Sequence, residues 1–176
     1  MELYQTQRAM RAMRTAALQR GVVAVLDVGS SKIGCLILKF EGFDRYDLDS
    51  YCLNIKNMVL KWTGIPISIG IAPTKALAKV ANRIAKKFPN KTKGVYLINS
   101  EEMRIKALKW LKINDVWGIG FKHAERLRKI RINTAYDFIN LEDNWVRRNM
   151  SVIGLRLKKE LEGKSVLELE EVRSAK

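Results

Sequence analysis

Three groups of residues have the types and the spacing to meet phosphate. Lys75 follows the apolar run 65–71 in Ala72-Pro-Thr-Lys75. If Thr74 caps a helix there, the ammonium and the first helical amides face the same anion. Arg83 and Lys86 lie farther along that helix. The second group is Val116-Trp-Gly-Ile-Gly120. Gly118 and Gly120 permit a tight turn that exposes amides, and the helix after it points its positive end the same way. Lys122, Arg126 and Lys129 add side-chain contacts to a phosphate backbone, which position a nucleic acid without reading its bases. The third group is Asp27-Val-Gly-Ser-Ser-Lys32. Gly29 lets backbone come close, and successive amides from Ser30 onward form an anion nest beside Asp27.

Groups that would transform a phosphate are harder to find. Metal-dependent phosphoryl transfer needs two or three converging carboxylates to hold two magnesium ions. Asp44, Asp47 and Asp49 are the only nearby cluster, and they sit in a turn leading into a helix, where capping and solubility account for them. His123, the only histidine, has no cysteine or second histidine beside it. No metal site and no catalytic residue is therefore expected. Cys35 and Cys52 lack paired-ligand spacing, and each reads as a small buried apolar side chain in a reducing cytoplasm.

The 176 residues carry a net charge of +15, and its distribution says more than its size. Between Pro73 and Asn133 there are 16 Lys and Arg against four acids, a net +12. Too few opposite charges are available to pair these bases, so a polyanion is the expected partner. An anionic membrane fits less well, because the bases are not confined to one amphipathic helix. No apolar run approaches the ~18 residues of a membrane span, and the basic N-terminus has no apolar signal core.

These groups need elements to hold them. Residues 2–20 lack Pro and Gly and read as a helix with Arg8, Arg11 and Arg14 as a basic stripe. Residues 22–26 and 33–40 read as strands around the Asp27 turn. Leu48 to Trp62 has helical period, residues 65–71 form a short apolar strand, and Thr74 starts a helix reaching about Lys87. That helix turns Leu77, Val80, Ala81 and Ile84 inward and its bases outward. Residues 94–98 form another strand, and Ser100 opens a helix with Glu101 and Glu102 suited to its dipole. From there the chain is short helices, one of them begun by a capping arrangement at Thr134-Ala-Tyr-Asp137. Trp110 and Trp117 sit among aliphatic residues and read as core anchors. The expected fold is α+β: a β-hairpin and a small strand-helix-strand unit followed by an all-helical region.

The run Gly64 to Lys87, followed by Asp115-Val-Trp-Gly-Ile-Gly120, resembles the late palm and thumb of Y-family translesion DNA polymerases of the UmuC type over about residues 43–176. The resemblance implies a helix-hairpin-helix at Trp117–Gly120 that grips primer–template backbone. It also implies that Lys75, with Arg83 beyond it, touches nucleotide phosphates. Magnesium is the parent family's cofactor, and none is expected in this chain. DNA is the implied partner, with other translesion polymerase subunits as further partners, in the bacterial cytoplasm at the nucleoid.

Residues 21–38 are similar to the opening of the cell-division protein FtsA, an actin-like ATPase, which would make Asp27, Gly29 and Ser30 its first phosphate loop. Nothing after Phe40 supplies the second loop. Reading Val25 to Ser30 instead as a first palm strand leaves only about twenty residues for fingers and a Ser-x-Asp-Glu motif, and these contain no such motif. The resulting division is 1–42 (FtsA-like strand-turn-strand behind a basic helix), 43–99 (palm remnant), 100–164 (thumb) and 165–176 (linker stub). Three functions follow: a DNA-binding fragment without polymerase activity, an active error-prone polymerase subunit, or an actin-like ATP-binding fragment.

Overall fold

A computed structural model of the chain describes residues 22–28, 35–40 and 47–166, with side chains in the first two segments described for Val23, Ala24, Ile37 and Phe40. The stripe at Arg8, Arg11 and Arg14, the turn residues Gly29 and Ser30, the side chain of Asp27, Asp44, and the stretch 167–176 lie outside that description.

Four strands form one sheet in the order β2-β1-β3-β4. β1 (Val22–Val28) and β2 (Cys35–Phe40) pair antiparallel, and β1 also runs antiparallel to β3 (Ile67–Ala72), with Val23 opposite Ala72 and Asp27 opposite Ser68. β3 and β4 (Val95–Leu97) are parallel, so the chain must cross over between them. The crossover is α2 (Lys75–Lys87) with the single turn α3 (Pro89–Thr92). Before β3 comes α1 (Leu48–Thr63), which ends at Gly64 in the left-handed region (φ 70°).

Alternation along β3 decides which helix covers which face. Ile67, Ile69 and Ile71 are buried against Ala24, Val95 and Cys52 of α1. Gly70 faces the other way, toward α2. A Cβ there would lie 2.0 Å from the Asn82 amide nitrogen and 2.4 Å from the Ala78 carbonyl oxygen, so α2 rests directly on the strand backbone. The Asn82 side-chain amide donates to the Ser68 carbonyl at 2.7 Å and fixes that approach. Burial pushes the Cys52 thiol up to about 11, consistent with an inert packing residue.

The second half is helical: α4 (Glu101–Trp110), a 3-10 turn at Ile113–Asp115, α5 (Phe121–Lys129), α6 (Ala135–Ile139) and α7 (Asp143–Leu161). The caps are those the sequence suggests. Thr74, Ser100 and Thr134 each accept an amide of the first helical turn, and Thr134 with Asp137 completes a capping box. One continuous core joins Val23, Ala72 and the inner face of α2 to Leu108, Ile113, Leu127, Phe138, Leu157 and Leu161. The chain is α+β.

α7 is in effect two helices. Ser151, at φ 64° and ψ −173°, breaks it sharply. Asp143 and Lys158 are fifteen residues apart, about 22 Å along a straight helix, yet their side chains meet at 2.7 Å. Lys159 reaches the same carboxylate at 2.6 Å, and Lys158 also engages Glu162. Hydrogen bonds from Lys158 and Lys159 lower the Asp143 carboxyl to about 2. Burial raises Glu162, but hydrogen bonds and charge from the same lysines outweigh it and leave that carboxyl lowered.

Both acids are therefore stronger in the folded state, and their contribution is complete above the ordinary carboxylate range of about 4 and is lost as pH falls toward 2. The Asp143 side chain is 45% exposed, so solvent screening limits its share to on the order of 1 kcal/mol or less. The thermal midpoint of the wild type is expected to exceed that of Asp143→Asn at pH 6 and to converge with it by pH 2, as followed by circular dichroism. A constant gap across that range would exclude the ion pair as its source.

Candidate nucleic-acid interface

The hairpin that the sequence singles out is built from alternating anchors. Val116 and Ile119 are buried in the core, and the Ile119 amide donates to the Val116 carbonyl at 3.1 Å, closing the turn. Gly118 lies at φ 90°, where a side chain is strained, and a Cβ would also press on Leu157 at 3.4 Å. Gly120 differs. Its φ is −73°, and nothing lies within 4 Å of where its Cβ would be. The sequence reading has both glycines serving the turn; the structure needs only Gly118 for that, and the space at Gly120 is open to solvent.

α5 begins at this open point. No side chain caps its N-terminus, and its first turn holds no acid. Ala124 and Leu127 are buried, while Lys122, Arg126, Arg128 and Lys129 are exposed. Lys129 pairs with Glu125 at 3.7 Å. The uncapped helix end, the clear space at Gly120 and the basic outer face thus share one surface. Sequence reasoning misses Phe121, which stands 77% exposed at the hairpin tip. Its position directly after Gly120, on the first turn of a helix whose buried residues begin at Ala124, is the signal that was available.

The α2 end is arranged otherwise. The Thr74 hydroxyl accepts the Leu77 amide at 3.3 Å and donates to the Glu160 carbonyl at 2.7 Å. The Glu160 carboxylate, fully buried, accepts the Ala76 amide at 3.2 Å and the Val166 amide at 2.7 Å. Two amides of this helix end are therefore engaged within the protein, and Lys75 would meet phosphate with its ammonium. Arg83 lies two turns on, about 12 Å along the helix, and pairs with Asp115 at 2.6 Å. The structure does not bring Lys75 and Arg83 to one point.

Asp47 and Asp49 act locally. The Asp47 carboxylate caps α1, accepting the Asp49 amide and the Ser50 hydroxyl, and the Ser50 bond holds its carboxyl below the usual carboxylate range. Burial pushes the Asp49 carboxyl up. Among the described residues no three His, Cys, Asp or Glu side chains gather as a metal site, and no helix is long and apolar enough to cross a membrane.

Trp110 and Trp117 correct the sequence reading. They are 38% and 49% exposed and are not core anchors. Their aliphatic neighbours Leu111, Val116 and Ile119 turn into the core, which leaves the indoles on the outside. Phe88 packs on Trp110 with ring centres 5.6 Å apart, and the Lys79 ammonium lies 5.7 Å above the Trp117 ring.

Comparison with known proteins gives this geometry a context. Residues 5–83 match the model of the impB/mucB/samB family. That span begins upstream of the expected junction near residue 42 and marks no boundary there. Protein UmuC of Salmonella typhimurium is 37% identical over 131 residues, covering 74% of this chain and 31% of that protein. Protein ImpB of Salmonella typhimurium is 38% identical over 123 residues, covering 69% and 29%. The chain thus spans about a third of the length of these relatives. Among solved structures, an insertion ternary complex of Dbh DNA polymerase superposes with a TM-score of 0.54 at 28% identity, covering 69% of this chain and 34% of that one. The chain is thus similar in sequence to the impB/mucB/samB family and in fold to part of a DNA polymerase.

Proposed function

We propose that this chain is a DNA-backbone-binding portion of a UmuC-like translesion polymerase, and that it does not polymerise DNA. The observation that carries the proposal is the open, uncapped start of α5 behind Gly118 and Gly120, with Lys122, Arg126 and Lys129 on the outer face of the same helix. Amides aimed at a phosphate, a helix end of the right sign and surrounding bases hold a backbone without reading sequence. Lys75 adds a phosphate contact of its own. Among the described residues no three acids, histidines or cysteines gather, so a magnesium-dependent step finds no set of carboxylates there. Primer extension with magnesium should yield no product.

Affinity for duplex DNA should be independent of sequence and fall with salt. About three to five phosphates neutralised at the hairpin and α5 give a slope of log K against log salt of roughly −3 to −4.5. An affinity unchanged between low and physiological salt would reject the reading. The FtsA-like reading of Asp27, Gly29 and Ser30 has a separate test, ATP binding that Asp27→Ala abolishes. The position of β1 between β2 and β3, and the family match that begins at residue 5, favour treating that strand as part of the palm sheet.

A further inference from the structure

We propose that the outer flank of α1 is a docking surface, and that residues 2–20 of this chain occupy it as an antiparallel helix. Tyr51, Ile55, Met58 and Trp62 recur at intervals of four, three and four, which sets them on one stripe of α1. The stripe is not core. Met58 is exposed, Trp62 is 74% exposed, and Ile65, just past the helix end, is exposed as well. A tryptophan standing that far into water beside further apolar side chains marks a contact surface.

The fold shows which way the stripe looks. α1 packs over β3 and β4. On one flank Lys56 reaches Gly94 at the head of β4, where a Cβ would lie 2.6 Å from the lysine Cε. On the other flank Tyr51 meets Phe40 of β2 edge-on, with ring centres 6.0 Å apart. The stripe therefore faces across the β1–β2 half of the sheet. Among the described residues, the apolar cluster on this face draws its helical members from α1 alone. A second helix laid beside α1, at the usual ~8–10 Å between axes, would cover the stripe.

The path of the chain selects the occupant. Val22 opens β1 opposite Phe40, so whatever precedes Val22 enters the fold beside the Tyr51 end of the stripe. Gly21 alone separates residues 2–20 from β1, so a helix there has to fold back along the sheet, as α1 does across Gly64 before β3. β1 and β3 are antiparallel, and the two helices then run antiparallel as well. Residues 2–20 as a helix span about 28 Å and α1 about 24 Å, which carries the far end to Trp62. Leu3, Met10, Met13 and Ala17 recur at intervals of seven, three and four and supply the complementary apolar face, with Arg8, Arg11 and Arg14 on a separate stripe.

The test is amide hydrogen exchange of the full chain, read by mass spectrometry at two protein concentrations. A helix of this length holds poorly in water without packing, so residues 2–20 should exchange about tenfold more slowly in the wild type than in Trp62→Ser. Trp62 stands mostly in water, and its replacement leaves the rest of the fold in place. Met10→Asp, made on the other side of the contact, should release the segment equally, whereas Trp110→Ala should leave its protection unchanged. A segment that exchanges at the unprotected rate in the wild type overturns the proposal. So does protection that Trp62→Ser and Met10→Asp leave untouched. Protection that fades on dilution would assign the flank to the segment of a second copy and overturn the contact within one chain.

Discussion

Gly120→Ala is expected to weaken DNA binding by about 1–3 kcal/mol while leaving the fold intact. The added methyl group meets nothing within 4 Å, and the backbone there has an ordinary φ of −73°. The protein itself therefore has no reason to reject alanine. A phosphate drawn up to the start of α5 does, because the methyl group would occupy the space it needs. The expected loss is that of a charge-assisted hydrogen bond displaced from good geometry. Lys109 provides the control. It lies on α4 with its ammonium over the Tyr136 ring at 4.9 Å, so its replacement removes a charge without touching the hairpin. Lys109→Ala should cost much less. Equal losses in a titration of both variants would mean that diffuse charge, rather than a shaped site, binds the DNA. Gly118→Ala cannot serve, since it strains a φ of 90° whatever the ligand.

Glu160→Ala should lower the unfolding free energy by about 2–4 kcal/mol. The Glu160 side chain is fully buried and accepts amides from the start of α2 and from Val166. Its loss leaves the Ala76 donor without a partner inside the protein, at about 1–3 kcal/mol, and opens a void between α2 and α7. Glu160→Gln keeps an oxygen acceptor and should recover a large part of the loss. Urea denaturation measures all three proteins. An alanine variant within 0.5 kcal/mol of the wild type would show that the contact contributes nothing to holding the helical half on the sheet.

Much of this was legible locally, and what was not shares one cause. Thr74, Ser100, Thr134 with Asp137, and Gly118 announce themselves because a cap or a left-handed turn is decided by neighbours a few residues away. Trp110 and Trp117 were misread because aliphatic neighbours in sequence say nothing about the side from which tertiary partners arrive. Glu160 sits in Lys158-Lys-Glu-Leu161, which has the look of a solvated helix face, and only the approach of α2 buries it. The bend at Ser151 was equally hidden, since serine gives no warning of a φ of 64°. The place of β1 in the sheet depends on a partner far along the chain, beyond the reach of any local pattern.

That remote pairing has a consequence for how the molecule assembles. β1 and β2 can zip together as soon as both exist, since they are neighbours in the chain. β1 cannot join β3 until roughly 40–50 further residues have been made. α2 and β4 follow β3 at once and are held by short-range contacts, so β3, α2 and β4 form the faster-closing unit. During synthesis the first hairpin therefore waits, with one edge unpaired, for a seat that is still inside the ribosome. In that interval it is the part most prone to pair with a neighbouring chain.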